Sequence, residues 1–277
     1  MVQKKQKLET PYSKSYELLE NHLRLLKGIN EQLPKSIEKL REDYLEEWGG
    51  RLKNKEGTTL LAVGRLTKWM IELEPRLDKG EDPQSLRKEL RPLLKSAPSD
   101  ARKLARDLSR AAIRFSDFFQ FIREMSLVWL VSRFEGYLQA ILEASFRKWP
   151  LSIGKEKILT YEQLIRCVDI QDAKSLIVRK EISNIMREDI DSIDKYISRK
   201  WKVIPLSKCH DWKDFRERFY RRNIIIHNEG MPDDNYRHKV DSNAKDQLVV
   251  STDYLMKSMS LFAQMSKKLT VQFNAKL

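Results

Sequence analysis

A chain of 277 residues with 53 Lys and Arg against 40 Asp and Glu carries a formal charge of +13, while 41% of its residues are hydrophobic. That is enough apolar material for a sizeable core, which excludes wholesale disorder; nine glycines and nine prolines are too few for an all-β protein built on tight turns. Two cysteines, Cys167 and Cys209, exclude a disulfide scaffold and point to a reducing compartment. No apolar run follows the basic amino-terminal residues, and the most apolar stretch, 125–131, falls far short of the ~20 residues that span a bilayer. The expectation is a cytoplasmic protein with no membrane partner. The charge itself fits either a polyanionic partner or a solvated surface.

Apolar residues at helical spacing, among them Tyr16, Leu19, Leu23, Leu26 and Ile29, predict a helix from residue 13. Pro34 interrupts it, and a second stretch through Ile37, Leu40 and Tyr44 runs to the stop at Gly49-Gly50. Another helix is expected over 60–77, a loop over 78–83, and a short helix over 86–95 punctuated by Pro92. Ser99 or Asp100 then caps a long helical stretch reaching Lys148, ended by Trp149-Pro150. Its apolar positions, from Ile113 and Phe115 through Phe118, Phe119, Phe121, Met125 and Leu130, cover so broad a surface that its middle must be buried on more than one side. One long helix, or two joined by a slight break, fits equally.

Thr160 and Gln163 form a capping-box pattern at the next helix start, and 182–197 carries a further amphipathic pattern. After a break at 203–205, Asp211 fits the N-cap of a helix reaching His227 or Asn228, ended by Gly230 and Pro232. A final helix covers 243–273. No alternating pattern is long enough for a sheet, so the fold class is all-α, with an additional helical region over 1–112 and a helical bundle over 113–277.

The chemistry-bearing residues are few. His22 lies on an apolar helical face and reads as a packed histidine. Cys209-His210 lacks a second pair of ligands at metal spacing, so no metal is expected, and there is no phosphate-cradling glycine loop, nucleophile elbow or pair of clustered carboxylates. No cofactor is implied. What remains is the segment 215–236, where Arg222-Asn223 is followed by three isoleucines and then His227. Upstream, Ser132-Arg-Phe-Glu-Gly-Tyr-Leu places Glu135 on the long helix.

This pattern resembles the motif of the HEPN superfamily, an arginine, commonly followed by a polar residue, with four to six positions between it and a histidine. The helix around Glu135, the trailing Gly230, the Asp-rich turn and Tyr236 are similar too, so the resemblance covers about 113–273. It implies a HEPN-type helical bundle that forms a homodimer with a composite active site and acts as a metal-independent endoribonuclease, with Arg222 and His227 catalytic. It also implies the effector of a prokaryotic toxin or antiviral-defence system, with an antitoxin or defence-complex partner and a regulatory or assembly role for 1–112. A non-catalytic scaffold for protein or RNA binding is the alternative.

The residue types suit that chemistry. A neutral imidazole, with a reference pKa of ~6.5, takes a proton from a ribose 2′-hydroxyl near neutral pH. Arginine stays charged and holds phosphate oxygens as negative charge accumulates. Positions five apart point ~140° from one another on an ideal helix, so a two-fold partner is the natural way to bring both to one cleft, with the three isoleucines anchoring the motif to the core. Between residues 199 and 222, nine basic side chains outnumber Asp211, Asp214 and Glu217, and Arg218 and Arg221 are taken as RNA-binding residues. Trp201, Trp212 and Tyr220 serve either as base-stacking platforms or as core, core being favoured. Glu135 either orients Arg222 or His227 or is a solvated helix residue; Asn223 either contacts phosphate or caps a carbonyl. The plain alternative for the pair itself is a histidine facing the carbonyls of a helix end and arginines solvated beside it.

Overall fold

Apolar side chains three and four residues apart come to one side only on a helix, and among the described residues every regular element is helical. The computed structural model describes residues 10–52, 68–69, 76, 81, 83–95, 99–153 and 159–276. The helix expected over 60–77 and the loop over 78–83 lie almost wholly outside the described residues, and so do the side chains of Ile113 and Phe115. The helices are α1 (Pro11–Leu52), α2 (Pro83–Lys95), α3 (Ser99–Lys148), α4 (Tyr161–Ile165), α5 (Ile170–Ile185), α6 (Ile190–Trp201), α7 (Trp212–Asn228), α8 (Asp234–Lys239) and α9 (Thr252–Asn274). No described helix is long and apolar enough to cross a membrane.

Several boundaries differ from the periodicity reading. α1 continues through Pro34 and past Gly49-Gly50 to Leu52, because a proline removes one hydrogen bond and bends a helix without having to end it. α3 is one helix of 50 residues. The pattern over 182–197 is broken between Ile185 and Ile190, where the Asp189 carboxylate accepts the Ser192 N–H at 2.7 Å and restarts the chain as α6. The last helix begins at Thr252, not 243. The short α8 went unrecognised in the Asp-rich turn; Asp233 caps it through the Tyr236 N–H.

The chain divides into two units. The first holds the described residues up to Leu25, residues 127–247 and those from 257 onward; the second holds the described residues between 26 and 126 with 248–256. The division expected at 112/113 is displaced because the start of α1 belongs to the first unit. The Tyr12 hydroxyl shares a hydrogen bond with Ser145 of α3 at 3.2 Å, its ring lies 5.1 Å from Phe273 of α9, and the Thr10 hydroxyl donates to Asn274 at 2.7 Å. Pairings between residues more than a hundred positions apart leave no mark on local periodicity.

In the first unit one broad face of α3 is buried, with Leu127, Leu130, Val131, Phe134, Leu138, Ile141 and Leu142 each at most 1% exposed, while Ser132, Arg133, Gly136 and Gln139 on the other side are exposed. Tyr137 is buried among them because its hydroxyl reaches the Ser266 carbonyl and the Thr270 hydroxyl of α9, each at 2.7 Å. Trp201, Trp212 and Tyr220 are core residues here, so the core reading of these aromatics holds. One stretch buries little. Leu151, Tyr161, Leu164, Ile165, Val168 and Ile170 are all exposed, and α4 has no buried residue although Thr160 and Gln163 close the expected capping box. In the second unit, Leu86 and Leu90 of α2 are buried, Asn30 of α1 donates to Ser126 of α3 at 3.2 Å, and the buried Arg123 donates to the Val250 carbonyl at 2.9 Å.

Candidate active site on helix α7

The placement of Arg222 follows from aromatic packing one and two turns before it. Phe215 and Phe219 of α7 meet Phe134 of α3 edge-on, with ring centroids 5.1 and 6.1 Å apart, and Phe262 of α9 lies 4.9 Å from Phe215 and 5.2 Å from Phe134. This four-ring cluster fixes α7 on α3. Positions 215, 219, 222 and 226 fall in one stripe, so Arg222 continues the face that carries the rings. The residue after Phe134 is Glu135, and the Arg222 guanidinium donates from Nη2 to its carboxylate. Of the two readings of Glu135, the orienting one fits, with Arg222 as its partner.

The pair is only partly solvated, the Arg222 and Glu135 side chains being 20% and 33% exposed. Burial raises the Glu135 pKa above the ordinary carboxylate value, and the neighbouring guanidinium only partly offsets it. The Arg222 Nε is buried and has no hydrogen-bond partner. One edge of the guanidinium is thus committed to Glu135, while the buried Nε finds no acceptor among the described residues.

His227 lies in the last turn of α7, exposed and without a hydrogen bond among the described residues. The helix stops just beyond it: Glu229 and Gly230 both adopt left-handed conformations, with φ of 49° and 79°, and both N–H groups turn back to the Ile224 carbonyl. Taking Arg222 as the origin at ~100° per residue, Ile226 falls near 40°, Asn223 near 100° and His227 near 140°. These four therefore form a continuous surface arc. Ile224 and Ile225 are 1% and 8% exposed and anchor the helix as expected, but Ile226 is 46% exposed, so only two of the three isoleucines belong to the core. Asn223 is exposed and caps no carbonyl among the described residues.

Arg218 and Arg221 occupy a different environment from the open RNA-facing one expected of them. Arg218 is 6% exposed; its Nη1 donates to the Asp214 carbonyl at 2.6 Å and to Glu217 at 3.2 Å, and its Nε donates to the Ser258 hydroxyl at 3.1 Å. Arg221 Nε donates to Glu217 at 2.7 Å, and the Tyr236 hydroxyl donates to the same carboxylate oxygen at 2.8 Å. Glu217, itself 8% exposed, is the hub of this cluster. Burial, and then the Glu217 charge, raise the Tyr236 pKa.

Arg216 is likewise engaged, with Asp191 at 3.0 Å and the Lys239 carbonyl at 2.7 Å. Of the nine basic side chains that the sequence places just before His227, the four nearest it are therefore met by carboxylates, Arg218 and Arg221 sharing one. Glu217 precedes Arg221 by four positions, a spacing readable as a helical ion pair; Glu135 and Asp191 lie 87 and 25 positions from their arginines, and no local signal marks them. The five of these nine that form no ion pair among the described residues, Arg199, Lys200, Lys202, Lys208 and Lys213, sit before or at the start of α7, and Lys213 stands about 21 Å along the helix axis from His227.

Elsewhere, His22 is half-buried with its ring edge-on to Trp129, centroids 5.4 Å apart, and Arg133 lies over the other ring at 5.1 Å. Cys167 and Cys209 are free thiols. Among the described residues no three His, Cys, Asp or Glu side chains are grouped as metal ligands. No protein-family model, curated protein or solved structure matches the chain.

Proposed function

We propose that the protein is a metal-independent endoribonuclease of HEPN type, acting as a homodimer, and that Arg222 and His227 carry the reaction. The observation that supports this most is the contrast between the two groups. Arg222 is held by Glu135, while five positions further along the same helix His227 is exposed, and among the described residues neither the Arg222 Nε nor His227 has a hydrogen-bond partner.

In this mechanism the neutral imidazole of His227 takes the proton from a ribose 2′-hydroxyl. The 2′-oxygen attacks the adjacent phosphorus, the bond from phosphorus to the 5′-oxygen breaks, and the His227 imidazolium returns its proton to the leaving 5′-oxygen. Arg222 binds the non-bridging oxygens, where negative charge builds up. The products are a 2′,3′-cyclic phosphate and a 5′-hydroxyl, and DNA, which lacks the nucleophile, is not cut. The ~140° between Arg222 and His227 is met by a second copy, whose histidine faces the first copy's arginine across a two-fold axis. Glu135 keeps the Arg222 side chain extended toward the cleft. The biological setting that fits is a toxin or antiviral-defence effector, held in check by an antitoxin or defence-complex partner.

Exposed Ile226, in the arc between the two polar groups, favours a second reading: a non-catalytic face that binds protein. Wild type, Arg222→Ala and His227→Ala incubated with mixed RNA and EDTA separate the two. Cyclic-phosphate ends from wild type, with a loss of at least about a hundredfold in each variant, are expected; equal behaviour of all three removes the catalytic reading.

A further inference from the structure

The free cations of the first unit point to a second place on the molecule. Ser192 lies three and four residues before Lys195 and Tyr196, and Arg199 four and three after them, so the four share one face of α6. With Ile185 at the end of α5, Glu188 in the connecting turn, and Ile193 and Lys200, they line an open cavity of about 550 Å³. Lys195, Arg199 and Lys200 make no ion pair among the described residues, and Glu188 is the one carboxylate in the lining. The contrast with α7 is plain, since Arg216, Arg218, Arg221 and Arg222 all have carboxylate partners.

The walls are held in place from behind. The buried Asp194, on the opposite face of α6, accepts the Leu206 and Ser207 N–H groups at 2.7 and 3.1 Å, and Ile193 and Ile197 are in the core. The Tyr196 hydroxyl donates to Glu181 at 2.9 Å, which fixes the ring beneath the Lys200 ammonium, 5.6 Å from its centroid. From Ser192 to Arg199 the helix rises ~10 Å, the span of a nucleotide with its flanking phosphates. A concave wall with three cations, of which Lys195 also feels the Asp189 carboxylate, and with one lining carboxylate suits an anionic chain of regular charge spacing.

We propose that this cavity binds the phosphodiester backbone of single-stranded RNA, apart from the position that is cut. Lys195 and Arg199 hold successive phosphates, Lys200 adds a third charge, and the Ser192 hydroxyl donates to a phosphate or ribose oxygen. The proposal rests on the reading of RNA as substrate, and it assigns affinity to α6 and chemistry to the end of α7.

The test uses the full chain and a labelled twelve-nucleotide RNA whose 2′-hydroxyls are methylated, so that binding is measured without cleavage. Fluorescence anisotropy is compared across salt concentrations for wild type, for Lys195→Gln/Arg199→Gln/Lys200→Gln, and for a charge-matched control, Lys202→Gln/Lys208→Gln/Lys213→Gln. The cavity variant is expected to bind at least about tenfold more weakly, with the slope of log K against log salt reduced by ~2, from ~0.7 per contact for single strands. The control is expected to change by less than about threefold. On unmodified RNA the cavity variant should raise KM and leave kcat unchanged.

Equal losses in cavity variant and control overturn the proposal, because the effect is then net charge alone. So does unchanged binding in the cavity variant, or a polyglutamate chain bound by wild type as tightly as the RNA. Circular dichroism checks that the variants fold, and the single exposed-site variant Arg199→Glu, expected to weaken binding at least as much as Arg199→Gln, repeats the comparison if the triple variant does not. If RNA binds in the cavity but wild type leaves no cyclic-phosphate ends, the catalytic reading fails and the binding proposal stands.

Discussion

Replacing Glu217 with alanine removes the one acceptor around which Arg218, Arg221 and Tyr236 are arranged, at 3.2, 2.7 and 2.8 Å. Arg218 and Tyr236 are 6% and 3% exposed, so water cannot readily take over the vacated role. Breaking a buried ion pair from one side costs about 3–5 kcal/mol, much of it the desolvation of the charge left behind. Arg218 retains the Asp214 carbonyl and the Ser258 hydroxyl, which places the expected loss toward the lower end of that range. At roughly 2–4 °C per kcal/mol for a domain of this size, the melting temperature should fall by about 10 °C. Urea unfolding followed by tryptophan fluorescence measures the loss directly, and a cycle with Tyr236→Phe should give a coupling energy of about 1 kcal/mol. A Glu217→Ala protein within about 0.5 kcal/mol of wild type would refute the account of Glu217 as a hub. The same reasoning makes Arg218→Gln a stability variant first, lowering the urea midpoint at every RNA concentration.

Glu229 holds a left-handed conformation at φ 49° that glycine adopts without steric cost, so Glu229→Gly should stabilise the protein by about 0.5–1 kcal/mol in thermal unfolding despite the added freedom of the unfolded chain. Burial, and then the Arg133 charge, lower the His22 pKa. The unfolded chain therefore binds the His22 proton more tightly, and stability intact above pH ~6.5 is lost as pH falls through the lower folded value. His22→Phe should flatten that part of the stability profile in urea titrations between pH 5 and 7; an unchanged slope would mean that His22 is not its source.

The elements most legible in the sequence were those with a chemical stop at both ends. α7 runs from Asp211 to the turn at Gly230 as read, although Asp211 makes no side-chain capping bond, and Thr160 and Gln163 cap α4 as their spacing requires. The even apolarity of α3 pointed to burial on more than one side, and the structure differs: Phe118, Phe121 and Met125 are 44%, 55% and 38% exposed, because the described neighbours cover one side of the helix and leave the other open. What periodicity could not carry was pairing at a distance. The carboxylate that meets Arg222 lies on another helix, so a count of charges near His227 overstated the free charge there. Ile226 was misassigned for a related reason: three consecutive isoleucines cannot all face inward on a helix, and which one emerges depends on where α3 and α9 lie.

The exposed stretch around α4 bears on what holds the site together. Phe134 and Glu135 precede it, while Phe215, Phe219, Arg222 and Phe262 follow it, and their ring contacts and ion pair involve none of the exposed residues between. With Leu151 99% and Val168 93% exposed, the described residues of this stretch contribute little packing of their own. A chain cut within it should elute as one particle, with Glu135 on one fragment and Arg222 on the other. The site is in that sense a junction between two polypeptide halves, mated through four phenylalanine rings, and its geometry depends on their fit more than on the covalent path that joins them.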